Sequence, residues 1–188
     1  MVVAALTQPY DSLCGMHRVV CAEMGEAVSL RHKVDGVFHE LSWEEYRREA
    51  DAVASALIRF GIEAGDRVAI LSENRYEWLV ADHAVLSCGA VDVPLHAPMV
   101  FRQAAFQIQH SGARVVFVSN QTQADKLWQV VDEMPELERV ISFDRIESGP
   151  LPVHIWSEVL ATPISPEIEL REAGISKNDL ATIIYTSG

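Results

Sequence analysis

Arg67-Val68-Ala69-Ile70-Leu71, a helical stretch from about Arg75 to Ser87, and Ala90-Val91-Asp92-Val93-Pro94-Leu95 form the passage that decides the fold. Its two ends read as short β-rich runs and its middle as a helix, so the unit is strand, crossover, strand. The alternation continues with a helix around Phe101, Ala105 and Ile108, the strand Arg114-Val115-Val116-Phe117-Val118, a helix through Leu127, Trp128 and Val131, and the strand Val140-Ile141-Ser142-Phe143. Strands separated by helices of about ten residues need right-handed crossovers and therefore a parallel sheet. The spacing predicts an α/β fold whose mostly parallel sheet is flanked by helices on both faces.

Working upstream, Ala27-Val28-Ser29-Leu30-Arg31 and Val37-Phe38-His39-Glu40-Leu41 flank Asp35-Gly36, which predicts a small antiparallel hairpin near the N-terminus. Ser42 followed by Glu45 is a capping box, so a helix starts there. Trp43, Tyr46, Ala50, Val53 and Leu57 keep helical spacing until Gly61 ends the run. Downstream, Pro150, Pro152, Pro163 and Pro166 mark a connective stretch with room for one short helix near Trp156–Leu160. The chain closes on Leu180-Ala181-Thr182-Ile183-Ile184-Tyr185, read as a buried strand, running into Thr186-Ser187-Gly188.

The 188 residues carry 15 basic and 27 acidic side chains, a net charge of -12, and 49% are hydrophobic. That is enough apolar material for one folded domain and too much for a disordered chain. The acid excess repels phosphate backbones, which argues against a broad nucleic-acid surface. Cys14, Cys21 and Cys88 make an odd count without a C-x-x-C pair, which suits a reducing cytoplasm rather than a disulfide framework. Met1–Leu6 lacks a basic n-region, so no signal peptide is read there. The apolar run from Leu79 to Leu95 contains Asp82, His83 and Asp92, which rules it out as a membrane span and leaves room only for peripheral membrane contact.

In open α/β sheets ligands bind beyond the carboxyl ends of strands, which draws attention to Thr186, Ser187 and Gly188. A glycine lets backbone N–H groups approach a phosphate, and two hydroxyls can donate to it or ligate Mg²⁺. The other reading of the same three residues is an ordinary polar turn, and the P-loop pattern G-x-x-x-x-G-K-[ST] is not completed by them. Asn74 is read as the cap of the following helix, with Glu77 as its capping-box partner and Trp78 facing the core. His96 stands at a strand end, as a surface loop residue or a pocket wall. Histidines 17, 32, 39, 83, 96, 110 and 154 show no ligand spacing for zinc. No serine sits in a G-x-S-x-G elbow, which sets serine-hydrolase chemistry aside. Cys14 and Cys21, one heptad apart, are small core residues of one helix face.

Four blocks occur in the order expected of adenylate-forming enzymes: Leu41-Ser42-Trp43-Glu44-Glu45-Tyr46, the run from Gly65 to Trp78, Gly89-Ala90-Val91-Asp92-Val93-Pro94-Leu95, and the run from Leu180 to Gly188. Within that superfamily, Ser72-Glu73-Asn74-Arg75 with Glu77-Trp78 resembles long-chain fatty-acid–CoA ligases. The resemblance implies ATP-dependent acyl-adenylate formation followed by transfer to coenzyme A, with ATP, Mg²⁺, coenzyme A and a fatty acid as cofactors and substrates. It implies that Thr186, Ser187 and Gly188 open an ATP-phosphate loop that this sequence does not complete. On that reading residues 1–188 are the N-terminal portion of the large domain, without its C-terminal domain, inactive alone and prone to self-association. The rivals are a fatty-acyl-AMP ligase, an amino-acid adenylation domain and a stand-alone binding or interaction module.

Overall fold

A computed structural model describes residues 10–186. Helix α1 (Leu13–Met24) leads into the antiparallel pair β1 (Val28–Val34) and β2 (Val37–Ser42). Asp35 and Gly36 turn the hairpin at φ 49° and 83°, the two positive values that a type I′ turn demands. Helix α2 (Trp43–Arg59) starts as the sequence predicts. The Glu45 N–H donates to Ser42 Oγ at 3.1 Å, and the Ser42 N–H donates to the Glu45 carboxylate at 2.9 Å. Gly61 ends the run at φ 82°. Ser42→Ala is expected to cost about 1 kcal/mol of stability, read from the urea midpoint, because it orphans a helix N–H.

Seven further elements build the main sheet and its covers: β3 (Arg67–Ser72), α3 (Tyr76–Ser87), β4 (Val91–His96), α4 (Phe101–Ser111), β5 (Ala113–Val118), α5 (Gln121–Trp128) and β6 (Arg139–Ser142). β7 (Val153–Ile155), α6 (Trp156–Leu160) and α7 (Glu167–Gly174) follow. The five strands β4-β3-β5-β6-β7 are all parallel. One face carries Val68, Ile70, Val115, Phe117 and Ile141 against α2 and α3. The other carries Leu71, Val93, Val116 and Val118 against α4 and α5. Helix α1 docks on α2 and α3 by stacking His17 on His83, ring centroids 3.6 Å apart, with Tyr46 edge-on at 4.7 Å. Burial and the Arg47 charge hold His17 down at about 4, so this stack is neutral at neutral pH. Glu172 of α7 ties the bundle by pairing with Arg47 at 3.0 Å and with Arg18.

Four expectations are corrected. The helix through Val131 ends at Trp128, with Val130 outside helical backbone at φ -140°, and Val131–Glu133 is a separate 3₁₀ turn that stops at Met134, where the following Pro135 disfavours helical backbone. The proline-marked stretch is more than connective. It supplies β7, which pairs with β6 while the Pro152 carbonyl accepts from the Val140 N–H at 2.9 Å, an edge position where a missing N–H costs little. Asn74 does not cap α3: the N-cap residue is Arg75, with no side-chain cap, and Glu77 instead takes two hydrogen bonds from the Arg75 guanidinium at 2.6 and 3.1 Å.

The fourth correction concerns residues 180–186, which are not a buried strand. They touch β4 through a single parallel bridge, Asp92 to Thr182, and Leu180 and Ile184 are 61% and 67% exposed. Asp92 directs both of its backbone groups toward this segment: its N–H donates to the Ala181 carbonyl and its carbonyl accepts from the Ile183 N–H, each at 2.9 Å. Two residues on, the same side of β4 presents Pro94, which has no N–H to donate. The ladder stops there.

Candidate functional site

Strand order places β3 between β4 and β5, so the crossovers from β3 to β4 and from β4 to β5 carry α3 and α4 to opposite faces. The carboxyl ends of β3 and β5 are therefore the switch point at which open α/β sheets form a crevice. In this chain side chains hydrogen-bond to one another across that crevice. Glu73, just past β3, accepts from Gln123 Nε2 at 2.6 Å, from Asn120 Nδ2 at 3.4 Å and from the Ser119 hydroxyl. Burial alone would raise its carboxyl. The hydrogen bonds from Ser119, its own backbone and Gln123 outweigh burial and hold it below the usual carboxylate range. Arg75 bridges Glu77 and Asp144, the latter at 2.9 Å, and also donates to the Ser119 carbonyl at 3.3 Å. This network ties the carboxyl ends of β3, β5 and β6 into one rigid rim.

The sheet edge beyond β4 is open and carries the residues singled out from sequence. Ile183 and Tyr185 pack toward the α4 side of the sheet, while Leu180, Thr182, Ile184 and Thr186 are exposed. The Tyr185 phenol lies 2.9 Å from His110 Nδ1 and donates to the Gln107 carbonyl at 3.3 Å. Thr186 follows at the carboxyl side of the sheet, its side chain in solvent. Ser187 and Gly188 lie outside the described residues. His96 ends β4 exposed on the same rim.

Other ionisable groups are shaped by burial rather than by chemistry. The Cys21 and Cys88 thiols are pushed up to about 11 and about 12 by burial, and Cys14 is raised for the same reason, so none is a poised nucleophile. Asp92 is 2% exposed, and burial followed by the charge of neighbouring Asp82 pushes it up to about 8. Among the described residues no three His, Cys, Asp or Glu side chains converge as a metal site. A cleft of about 1060 Å³ opens at the amino ends of β3 and β4, between Leu13, Gly65, Gly89, Leu170 and Leu180. It lies at the opposite end of the strands from Thr186, and its lining also includes Asp11, Arg171, Lys177 and Asp179.

Nothing in residue spacing announces the Glu73 network or the Tyr185–His110 pair. Their members lie 46 to 75 positions apart, and only strand order brings them together.

Residues 19–188 match the family described as AMP-binding enzyme. A long-chain-fatty-acid–CoA ligase of Mycobacterium bovis is 35% identical over 155 residues, which are 82% of this chain and 26% of that protein. The chain thus spans about a quarter of the length of the curated relatives it matches. Among solved structures, the anthranilate CoA ligase in complex with anthranoyl-AMP superposes with a TM-score of 0.82 at 19% identity, over 98% of this chain and 34% of that one. The adenylation domain of a carboxylic acid reductase from Segniliparus rugosus, in complex with AMP, superposes equally well, with a TM-score of 0.82 at 18% identity over 100% of this chain and 36% of that one. A switch-point sheet with an open edge leading to Thr186, the four ordered sequence blocks and a family match from residue 19 onward agree, and the chain belongs to the AMP-binding enzyme family.

Proposed function

We propose that this chain is the N-terminal part of the large domain of a long-chain fatty-acid–CoA ligase and that it contributes the opening of the ATP-phosphate loop. The observation that carries this reading is the 35% identity to a long-chain ligase over 82% of the chain, a span that includes both β3 and the Arg75 rim. In the reaction a fatty carboxylate oxygen attacks the α-phosphorus of ATP, the bond to pyrophosphate breaks, and an acyl-adenylate forms. The coenzyme A sulfur, having lost its proton, then attacks the acyl carbonyl, and AMP leaves. The Thr186 and Ser187 hydroxyls and the backbone N–H groups around Gly188 would donate to the departing phosphate oxygens, where negative charge develops. Mg²⁺ bound with the nucleotide would neutralise part of that charge. The rim formed by Glu73 and Arg75 ties together the carboxyl ends of β3, β5 and β6 beside which the nucleotide would lie.

Three buried free thiols favour a reducing compartment, the cytoplasm by this reading, and among the described residues no helix is long and apolar enough to cross a membrane. The test is acyl-CoA synthesis by the parent protein with ATP, Mg²⁺, coenzyme A and a saturated C16 acid, alongside aryl acids, amino acids and a carrier-protein acceptor. Long-chain acyl-CoA is the expected product. Preference for another acid or for the carrier protein would refute the assignment. The 188-residue chain by itself is expected to show no pyrophosphate exchange. Each missing charge-assisted phosphate contact is worth roughly 1.5–3 kcal/mol, so two or three weaken ATP binding by about 10³-fold or more.

A further inference from the structure

The sheet stops guiding the chain before it reaches Thr186. Among the described residues, the last backbone hydrogen bond from the terminal segment to β4 is the one from Ile183 to Asp92. Pro94 removes the next donor on that side of β4. From Ile184 onward, what holds the segment is a side chain. Tyr185 reaches back to α4, where its phenol meets His110 Nδ1 at 2.9 Å and donates to the Gln107 carbonyl at 3.3 Å. The phenol thus has two partners on α4, one of them a ring nitrogen and the other a backbone carbonyl. Phe106 completes the seat, stacked on His110 at 5.4 Å and edge-on to Tyr185 at 6.4 Å. Burial raises the Tyr185 phenol above its ordinary value, which keeps it a neutral donor.

We propose that Tyr185, clamped by His110 and Gln107 of α4, is the positioning residue that sets the path of the chain carrying Thr186 to the nucleotide phosphates. This rests on the ligase reading above and adds to it a residue that need touch no substrate. Tyr185 and Thr186 are adjacent, about 3.4 Å of extended chain, so any drift of the ring is passed on to the Thr186 hydroxyl. A displacement on the order of 1 Å at a reacting centre can cost about 10²-fold in rate. Among the described residues β4 adds no backbone hydrogen bond to the segment after Ile183, since Pro94 has no N–H to donate. His110 and Gln107 hold that segment instead.

Tyr185→Phe and His110→Phe separate the clamp from the packing, since both keep an aromatic ring against Phe106. In the 188-residue chain, hydrogen exchange of the Ile183 amide, which donates to the Asp92 carbonyl, is expected to accelerate about five- to tenfold in either variant as the segment beyond it loses its anchor. Exchange in β4 and α4 should stay as in the wild type. In the parent protein the same substitutions are expected to lower kcat/KM for ATP about five- to tenfold, chiefly through kcat, with the KM for the fatty acid unchanged. Unchanged exchange at Ile183 overturns the proposal, as does acceleration spread across β4 and α4, which marks general loosening. A kcat/KM for ATP that stays at the wild-type value in both variants overturns it as well. If the wild-type parent adenylates no carboxylic acid, the ligase reading has failed, and the clamp is then judged on amide exchange alone.

Discussion

Phe117→Ala is expected to cost about 3–5 kcal/mol, a large share of the stability of a domain whose total lies at about 5–15 kcal/mol. Phe117 sits in β5, the middle strand of the five, and is fully buried. Its ring packs against Phe143 at 6.0 Å and meets Trp156 edge-on at 6.3 Å, so it joins the centre of the sheet to the segment after β6 and to α6. Removing it opens a cavity that neither neighbour can collapse into: Phe143 follows β6 directly, and Trp156 begins α6 straight after β7. Urea unfolding of the two proteins measures the loss. A cost under about 1.5 kcal/mol would mean that the aromatic group is not the joint between sheet and covering helices.

Asp92→Asn should change how stability responds to pH. Asp92 lies beneath the open sheet edge, next to Asp82 of α3, and its Oδ1 has no hydrogen-bond partner. Burial, reinforced by the Asp82 charge, pushes its carboxyl from the usual value up to about 8, so the folded chain holds a proton that the unfolded chain releases. The stability tied to this proton is fully present below about pH 4 and is lost as pH rises through about 8. The loss amounts to at most about 1.4 kcal/mol per pH unit for one group. An asparagine donates to Asp82 without needing a proton. The variant's urea midpoint should therefore fall less between pH 5 and 9 than that of the wild type, and the variant should be the more stable protein at pH 9. Parallel midpoint curves for the two proteins would show that Asp92 is charged in the fold.

Most of the elements were legible because their causes are local. The Asp35-Gly36 turn, the Ser42–Glu45 capping box and the strands at β3, β4 and β5 each depend on residues within one or two turns of chain, and each forms within a residue or two of its expected place. The errors arise where a distant partner decides. Arg75 leaves Asn74 no capping role because Glu77, Asp144 and the Ser119 carbonyl compete for the same corner. β7 forms in a stretch of prolines because β6 offers it an edge at which only one side must be paired. α7, unmarked in the sequence reading, is held by Ile168 in the core and by Glu172 between Arg18 and Arg47.

From its sequence alone the chain declares an α/β architecture, its hairpin and caps, and the family whose ordered blocks it carries. Periodicity, turn chemistry and short motifs are properties of neighbouring residues. The tertiary structure decided how the run toward Thr186 is held. The lack of an N–H on Pro94 is visible in the sequence, but which neighbour lacks that donor depends on which side of β4 the closing segment comes to lie. The partnership of Tyr185 with His110, 75 residues apart, exists only once α4 has been folded onto that face of the sheet. Hydrogen bonds between remote residues follow from strand order, and strand order is set by burying both faces of the sheet at once.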